Sequence, residues 1–181
     1  MLEFADFTRY SFRRDSEFTT LAEELRAIEG YLQLERARFG DRLRVRLDVA
    51  AEVLPLPLPF LTLQPLVENA VRHGLERSVD GGTVTVTARD EGDTALLMVN
   101  DDGVGADPER LREVLSGASP GEHVGLRNVD LRLRRVYGDA SALVVDTGPG
   151  AGMQVALRIP KFHPAVSLAP APSRPSEGRI P

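Results

Sequence analysis

Apolar residues recur at intervals of three and four over 19–40, where Leu21, Leu25, Ile28 and Leu32 share a stripe and Thr20 with Glu23 forms a capping-box pattern. This is the strongest helix in the sequence, and such a seam needs a partner helix. Over 42–50 the period falls to two: Leu43, Val45, Leu47 and Val49 alternate against charges, the pattern of a strand with one wet face. The proline-punctuated LPLPLPF then separates that strand from a helical stretch at 64–76. Residues 82–103 read as a hairpin, with alternating Val84, Val86 and Ala88, a turn at Glu91-Gly92-Asp93 and a more continuous apolar strand after it. Two helices follow, at 107–117 with Asp107 as N-cap and Pro108 in first position, and at 126–138 with Gly138 as terminator. Two last strands flank the turn GPGAG. At the N-terminus, Leu2, Phe4, Phe7, Tyr10 and Phe12 could line one side of a short helix too apolar to stand alone. From Phe162 onward the chain is rich in Pro, Ala and Ser without a period, the composition of a disordered tail.

The order is helix pair, strand, helix, two strands, two helices, two strands. It predicts an α+β fold, a two-layer α/β sandwich whose mixed sheet is covered by helices on one face. Hydrophobic residues make up 42% and charged residues 27%, which places the chain among soluble globular proteins. A net charge of -5 argues against a general nucleic-acid binder, because there is no large excess of Lys and Arg to neutralise phosphates. Without cysteine there is neither a disulfide nor a thiolate metal site, which fits a reducing compartment. No apolar run reaches the ~18 residues of a membrane span, so a cytoplasmic chain without membrane contact of its own is expected.

Candidate chemistry starts at 64–76, QPLVENAVRHGLE. At about 100° per residue, Glu68, Arg72, Asn69 and His73 fall within roughly 140° of one another, and Leu66, Val67, Ala70 and Val71 occupy the remaining face. The ordinary reading of that polar face is a solvated surface; the sharper one is a site. Two glycine-rich turns bear on the choice. DDGVG at 101–105 follows a buried strand, where glycines let a flat ligand approach the backbone and a carboxylate can accept from an exocyclic amine. GEHVGLRNV at 121–129 runs into a helix start, whose free N–H groups favour an anion. Each turn alone is more often a plain connection.

Together and in this order, LVENAVRHG, DDGVG and HVGLRNV resemble the N box and the two glycine boxes of the GHKL ATP-binding superfamily. LTLQPLVENAVRHGLE, YLQLERARFGDRL, GLRNVDLRLRRVYG and RYSFRRDSEFTTLAEEL are similar to the sensor histidine kinases of the LytS type, from about residue 8 to 160. The resemblance implies a Bergerat-type ATPase domain over 41–161. It implies a helical dimerisation and phosphotransfer segment within 1–40, and leaves 162–181 as a tail. ATP and Mg²⁺ are the implied cofactors, with Asn69 as the metal ligand through its amide oxygen. Glu68 would sit beside it as a polariser, and Arg72 and His73 would reach phosphates or the sugar side. Asp101 would accept from the adenine amino group, with Gly103 and Gly105 making room for the ring. His123, Val124, Gly125, Leu126 and Arg127 would form the phosphate loop, the last three through backbone N–H groups, and 108–123 would be the lid over ATP.

Two departures stand out. His123 replaces the first glycine of a Gly-x-Gly-Leu box, and Met153 stands after Gly152 where the family usually has Thr. The family's phosphoacceptor lies in a PHFLFN-like segment upstream of RYS, so the acceptor is expected outside this chain, and His73, His123 and His163 are poor substitutes. The implied function is the ATP-binding catalytic domain of a two-component sensor histidine kinase, the cytosolic part of a membrane-associated sensor. Its expected partners are the phosphoacceptor helix, a second copy through the N-terminal helix, and a response regulator. The alternative is a catalytically degenerate nucleotide-binding module of the same superfamily. ATP-hydrolysing gyrase- or chaperone-type relatives carry a Glu four residues before the Asn; Pro65 stands there, and proline cannot act as a base.

Overall fold

A computed structural model of the chain describes residues 18–75, 78, 80–118 and 123–162. The expectations for the first 14 residues, for the tail beyond Phe162 and for lid positions 119–122 lie outside the described residues. The elements in chain order are β1 (Phe18–Thr20), α1 (Leu21–Phe39), β2 (Leu43–Val49), β3 (Pro57–Pro59), α2 (Gln64–Asn69), β4 (Gly82–Asp90), β5 (Thr94–Asp101), α3 (Pro108–Ser116), α4 (Val124–Tyr137), β6 (Val144–Thr147) and β7 (Met153–Pro160).

The capping box forms as its residues predict: Thr20 Oγ1 accepts from the Glu23 N–H at 3.2 Å, and Glu23 Oε2 accepts from the Thr20 N–H at 3.1 Å. The next orphan donors of α1 are met from the proline-punctuated stretch, where the Leu21 and Ala22 N–H groups donate to the Leu56 and Leu54 carbonyls at 2.9 and 3.0 Å. That stretch is more than a separator, because β3 pairs antiparallel with β1 in a two-stranded sheet.

The main sheet has the order β2-β4-β5-β7-β6. β2 runs parallel to β4 and the other neighbours are antiparallel, so the predicted mixed α+β sheet is what forms. Val84, Val86 and Ala88 of β4 and Ala95, Leu97 and Val99 of β5 are buried on one face and share a core with Leu66 and Val67 of α2 and Leu126, Val129 and Leu133 of α4. The opposite face keeps Thr83, Thr85 and Thr87 half-exposed, which is the alternation of a sheet covered on one side.

The stripe on α1 is a correction. Leu21, Leu25, Ile28 and Leu32 were expected to dock a helix from elsewhere, yet they are buried at 0%, 8%, 0% and 3% exposure in the chain's own core. Helical spacing shows that a face is buried without showing what buries it. No described helix is long and apolar enough to cross a membrane.

Candidate functional site

The turn before α2 is built from α1. Glu24, fully buried, accepts the Leu61 N–H on Oε1 at 2.7 Å and the Leu63 N–H on Oε2 at 2.9 Å. Pro65 then opens α2, whose regular turns end at Asn69 and pass into a π-helical stretch, Ala70–Leu75. A uniform 100° per residue therefore describes the N-terminal half only. Wide turns of this kind recur at functional sites because they re-aim side chains out of the regular ladder.

The four polar residues separate accordingly. Asn69 is buried at 8% exposure, Glu68 and His73 are half-buried, and Arg72 is exposed. Glu68 accepts from Gln64 Nε2 at 2.7 Å within its own helix, so it is turned along α2 and not toward Asn69. Asn69 Nδ2 donates to Met153 Sδ at 3.5 Å, and Asn69 Oδ1 lies 2.5 Å from His123 Nδ1. The His123 ring is in turn 4.6 Å from that of His73, tilted by 53°. Asn69, His123 and Met153, far apart in sequence, thus meet at one point.

Asp101 closes β5 opposite Met153. Burial pushes its carboxyl up to about 6; the Gly103 N–H, bound to Oδ1 at 3.0 Å, lowers it, the Asp102 charge raises it and the Met153 N–H lowers it. Met153 therefore touches both Asn69 through sulfur and Asp101 through its backbone. The loop beyond is packed backbone to backbone: at Gly105, φ +64, a Cβ would overlap the Gly148 carbonyl, and at Gly152, φ +71, it would overlap the Asp101 carbonyl. A hydroxyl ties this loop to the sheet edge. Thr147 Oγ1 accepts from the Ala106 N–H at 3.0 Å and donates to the Gly152 carbonyl at 2.7 Å. Nothing in the spacing singled out Thr147, because it lies on the edge strand β6 and reaches the site only through sheet pairing.

The expected phosphate loop is partly spent. His123, at φ 71, is the N-cap position of α4, and its carbonyl accepts the Leu126 and Arg127 N–H groups at 3.0 and 3.3 Å. Val124 and Gly125 are the residues of that first turn left to face an anion. The Arg127 side chain lies where a Cβ on Gly117 would be, and its buried Nε has no hydrogen-bond partner among the described residues. Between α3 and the His73–His123 pair lies a cavity of about 320 Å³, lined by His73, Gly105, Ala106, Asp107, Arg110, Leu111, Val114 and His123. Arg110 is a cation on that wall which the motifs did not include.

Among the described residues no group of three His, Cys, Asp or Glu side chains could hold a metal. A divalent ion at Asn69 would thus draw further oxygens from a nucleotide's phosphates, the usual construction of a Mg²⁺ site. One hard amide oxygen, next to the His123 that lines the cavity, suits that need.

Residues 57–163 match the family of histidine kinase-, DNA gyrase B- and HSP90-like ATPases, and residues 1–43 match the histidine kinase family. The chain belongs to the histidine kinase-, DNA gyrase B- and HSP90-like ATPase family. It is 38% identical over 154 residues to the sensor histidine kinase BtsS of Escherichia coli, covering 85% of this chain and 26% of that protein. It is 31% identical over 143 residues to the sensor protein LytS of Bacillus subtilis, covering 77% of this chain and 24% of that protein. The chain thus spans about a quarter of the length of these curated relatives. The fold is shared with the catalytic domain of histidine kinase ThkA, with TM-score 0.61, 16% identity and coverage of 81% of this chain and 99% of that one. It is shared also with the mycobacterial sensor histidine kinase MprB, with TM-score 0.56, 21% identity and coverage of 80% and 96%. The resemblance read from the three boxes is therefore correct, and this is an ATP-binding domain of the histidine-kinase type.

Proposed function

We propose that this domain binds Mg²⁺-ATP between α2, β5 and α3 and presents the γ-phosphoryl to a histidine side chain, as the catalytic part of a two-component sensor kinase. The observation that carries this reading is the pairing of two buried polar side chains, Asn69 and Asp101, tied to each other through Met153, with Asn69 bonded to His123 of the cavity wall. A few placed polar groups beside a cavity are what fixes a ligand's orientation. Asp101 is the acceptor for an adenine amino group. Asn69 offers the oxygen for the metal, and Mg²⁺, when bound, neutralises charge on the phosphates. His73 and Arg110 line the space where phosphates would lie, and the Val124 and Gly125 N–H groups stand at the α4 N-terminus. In-line phosphoryl transfer asks mainly for such positioning and charge. The acceptor helix, a second copy of the chain and a response regulator complete the proposed system.

The alternative is a module that binds nucleotide and transfers nothing. It is favoured by one observation, that His123 consumes both the Asn69 oxygen and two N–H groups of the phosphate loop. Calorimetric titration of ADP and of a nonhydrolysable ATP analogue, with and without Mg²⁺, tests the site. Asp101→Asn should abolish or strongly weaken binding, and Asn69→Ala should remove the Mg²⁺ dependence while weak binding persists. Unchanged affinity in Asp101→Asn would overturn the adenine assignment. Radiolabelled ATP supplied together with the acceptor helix then separates kinase from module.

A further inference from the structure

We infer that His123 hinders the divalent ion's access to Asn69, so that in this chain metal loading is weakened by an imidazole already bonded to the same oxygen. The inference rests on the reading of Asn69 as the metal ligand and adds a control that the usual glycine at this position could not exert.

The Asn69 amide is oriented from both ends. Its Nδ2 donates to Met153 Sδ, which turns Oδ1 toward His123 Nδ1 at 2.5 Å. A carboxamide oxygen can only accept, so Nδ1 carries the proton in this contact. With Asn69 only 8% exposed, one of the two lone pairs of Oδ1 lies against an N–H donor, and only the other is left to a hard cation. Mg²⁺ takes oxygen ligands, and a protonated ring nitrogen cannot serve it as one. Metal and imidazole therefore share one oxygen, and the bonded imidazole weakens it as a metal ligand and crowds the approach to it.

The imidazole is held in place by its surroundings. The His123 backbone is left-handed, φ 71 and ψ 20, a region costly for any residue with a Cβ, and it persists because the carbonyl is anchored by the Leu126 and Arg127 N–H groups. The His73 ring, 4.6 Å away, forms a second wall. Moving the imidazole therefore disturbs the residue that starts α4 and borders the cavity.

His123→Gly and His123→Asn both tolerate a left-handed backbone and both remove the imidazole, so either one suffices if the other folds poorly. The measurement is the affinity of a nonhydrolysable ATP analogue with saturating Mg²⁺ divided by that in EDTA, for the whole chain and both variants. Loss of one competing hydrogen bond should raise this ratio about three- to tenfold in each variant. In the wild type, addition of Mg²⁺ with the analogue should also move the His123 ring resonances in an imidazole ¹⁵N spectrum. A ratio that is equal or lower in both folded variants, with the analogue still bound, overturns the hindrance and leaves the ATP site standing. Absence of analogue binding in all three proteins overturns the site and the hindrance together.

Discussion

Glu24 on α1 holds Leu61 in a left-handed conformation, φ 59, by accepting its N–H at 2.7 Å, and takes the Leu63 N–H at 2.9 Å with its other oxygen. Arg132 of α4 donates to the Phe60 carbonyl in the same turn; burial lowers the guanidinium's pKa and the Glu24 charge raises it. One buried carboxylate thus joins α1, the turn that launches α2 and the helix behind the phosphate loop. Glu24→Ala deprives two N–H groups of their acceptor and a half-buried cation of a nearby opposite charge, and should cost about 3–5 kcal/mol. Glu24→Gln keeps one carbonyl oxygen and should cost about 1–3 kcal/mol. Urea unfolding midpoints measure both; a Glu24→Ala midpoint equal to wild type would show that the carboxylate holds nothing.

Asp101 makes two properties run in opposite directions with pH. Its folded pKa, about 6, lies above the ordinary 3.8, so the folded chain holds this proton more tightly than the unfolded chain does. The group's contribution to stability is then fully present below about pH 4 and is lost as pH rises through about 6, on the order of 3 kcal/mol in all. In the proposed function the ionised form accepts from an adenine amine, so nucleotide affinity is expected to rise over that same interval. Asp101→Asn should flatten both curves. Urea unfolding and nucleotide titration at about pH 4.5, 5.5 and 7 provide the comparison, and an affinity that fell with rising pH would sink the assignment.

Much of this was legible in the residues, for local reasons. The capping box of Thr20 and Glu23, the hairpin around Gly92, the Asp107 cap and the Gly138 stop all depend on neighbours in sequence, and all formed. The pairing of β1 with β3 was not legible, because three residues carry no period and two of the three in β3 are prolines. The π-helical stretch after Asn69 was also hidden, since nothing in AVRHGL breaks helical spacing. The boxes named Asn69, His73, Asp101 and Gly105 as candidates, but not what they touch. Met153 and His123 stood out only as departures from the family's pattern, whereas both bond to Asn69 across 84 and 54 residues of sequence. Arg127 was assigned by its backbone and is placed instead by a side chain lying under Gly117.

The two glycines Gly105 and Gly150 share a left-handed backbone, φ 64 and 75, and differ in their surroundings. A Cβ on Gly105 would overlap the Gly148 carbonyl and crowd that of Gly152, neither of which is a flexible side-chain end; a Cβ on Gly150 would meet nothing within 4 Å. Gly150→Ala should therefore cost only the conformational strain, about 1–2 kcal/mol. Gly105→Ala adds a backbone displacement and should cost roughly 2–5 kcal/mol. Because Gly105 lines the cavity, its variant should also lose nucleotide affinity, while Gly150→Ala, away from the lining residues, should lose little. Thermal unfolding with and without ADP reads both effects, and similar losses in the two variants would contradict the packing described.

The stripe on α1 decides between a core and a docking face by how its energy depends on concentration. Ile28 is fully buried, so Ile28→Ala removes core volume and should cost about 2–5 kcal/mol. If the stripe belongs to the chain's own core, that cost is intramolecular, and the unfolding midpoint should fall by the same amount at about 1 μM and about 100 μM chain. If the stripe were instead covered by a second chain, the wild-type midpoint itself would rise with concentration and the variant would fall furthest where association is strongest. Leu34 on the same helix is 44% exposed and serves as the control, because Leu34→Ala should change the midpoint by less than about 0.5 kcal/mol equivalent. A wild-type midpoint that climbs with concentration, together with an Ile28→Ala effect that vanishes on dilution, would return the stripe to an intermolecular role.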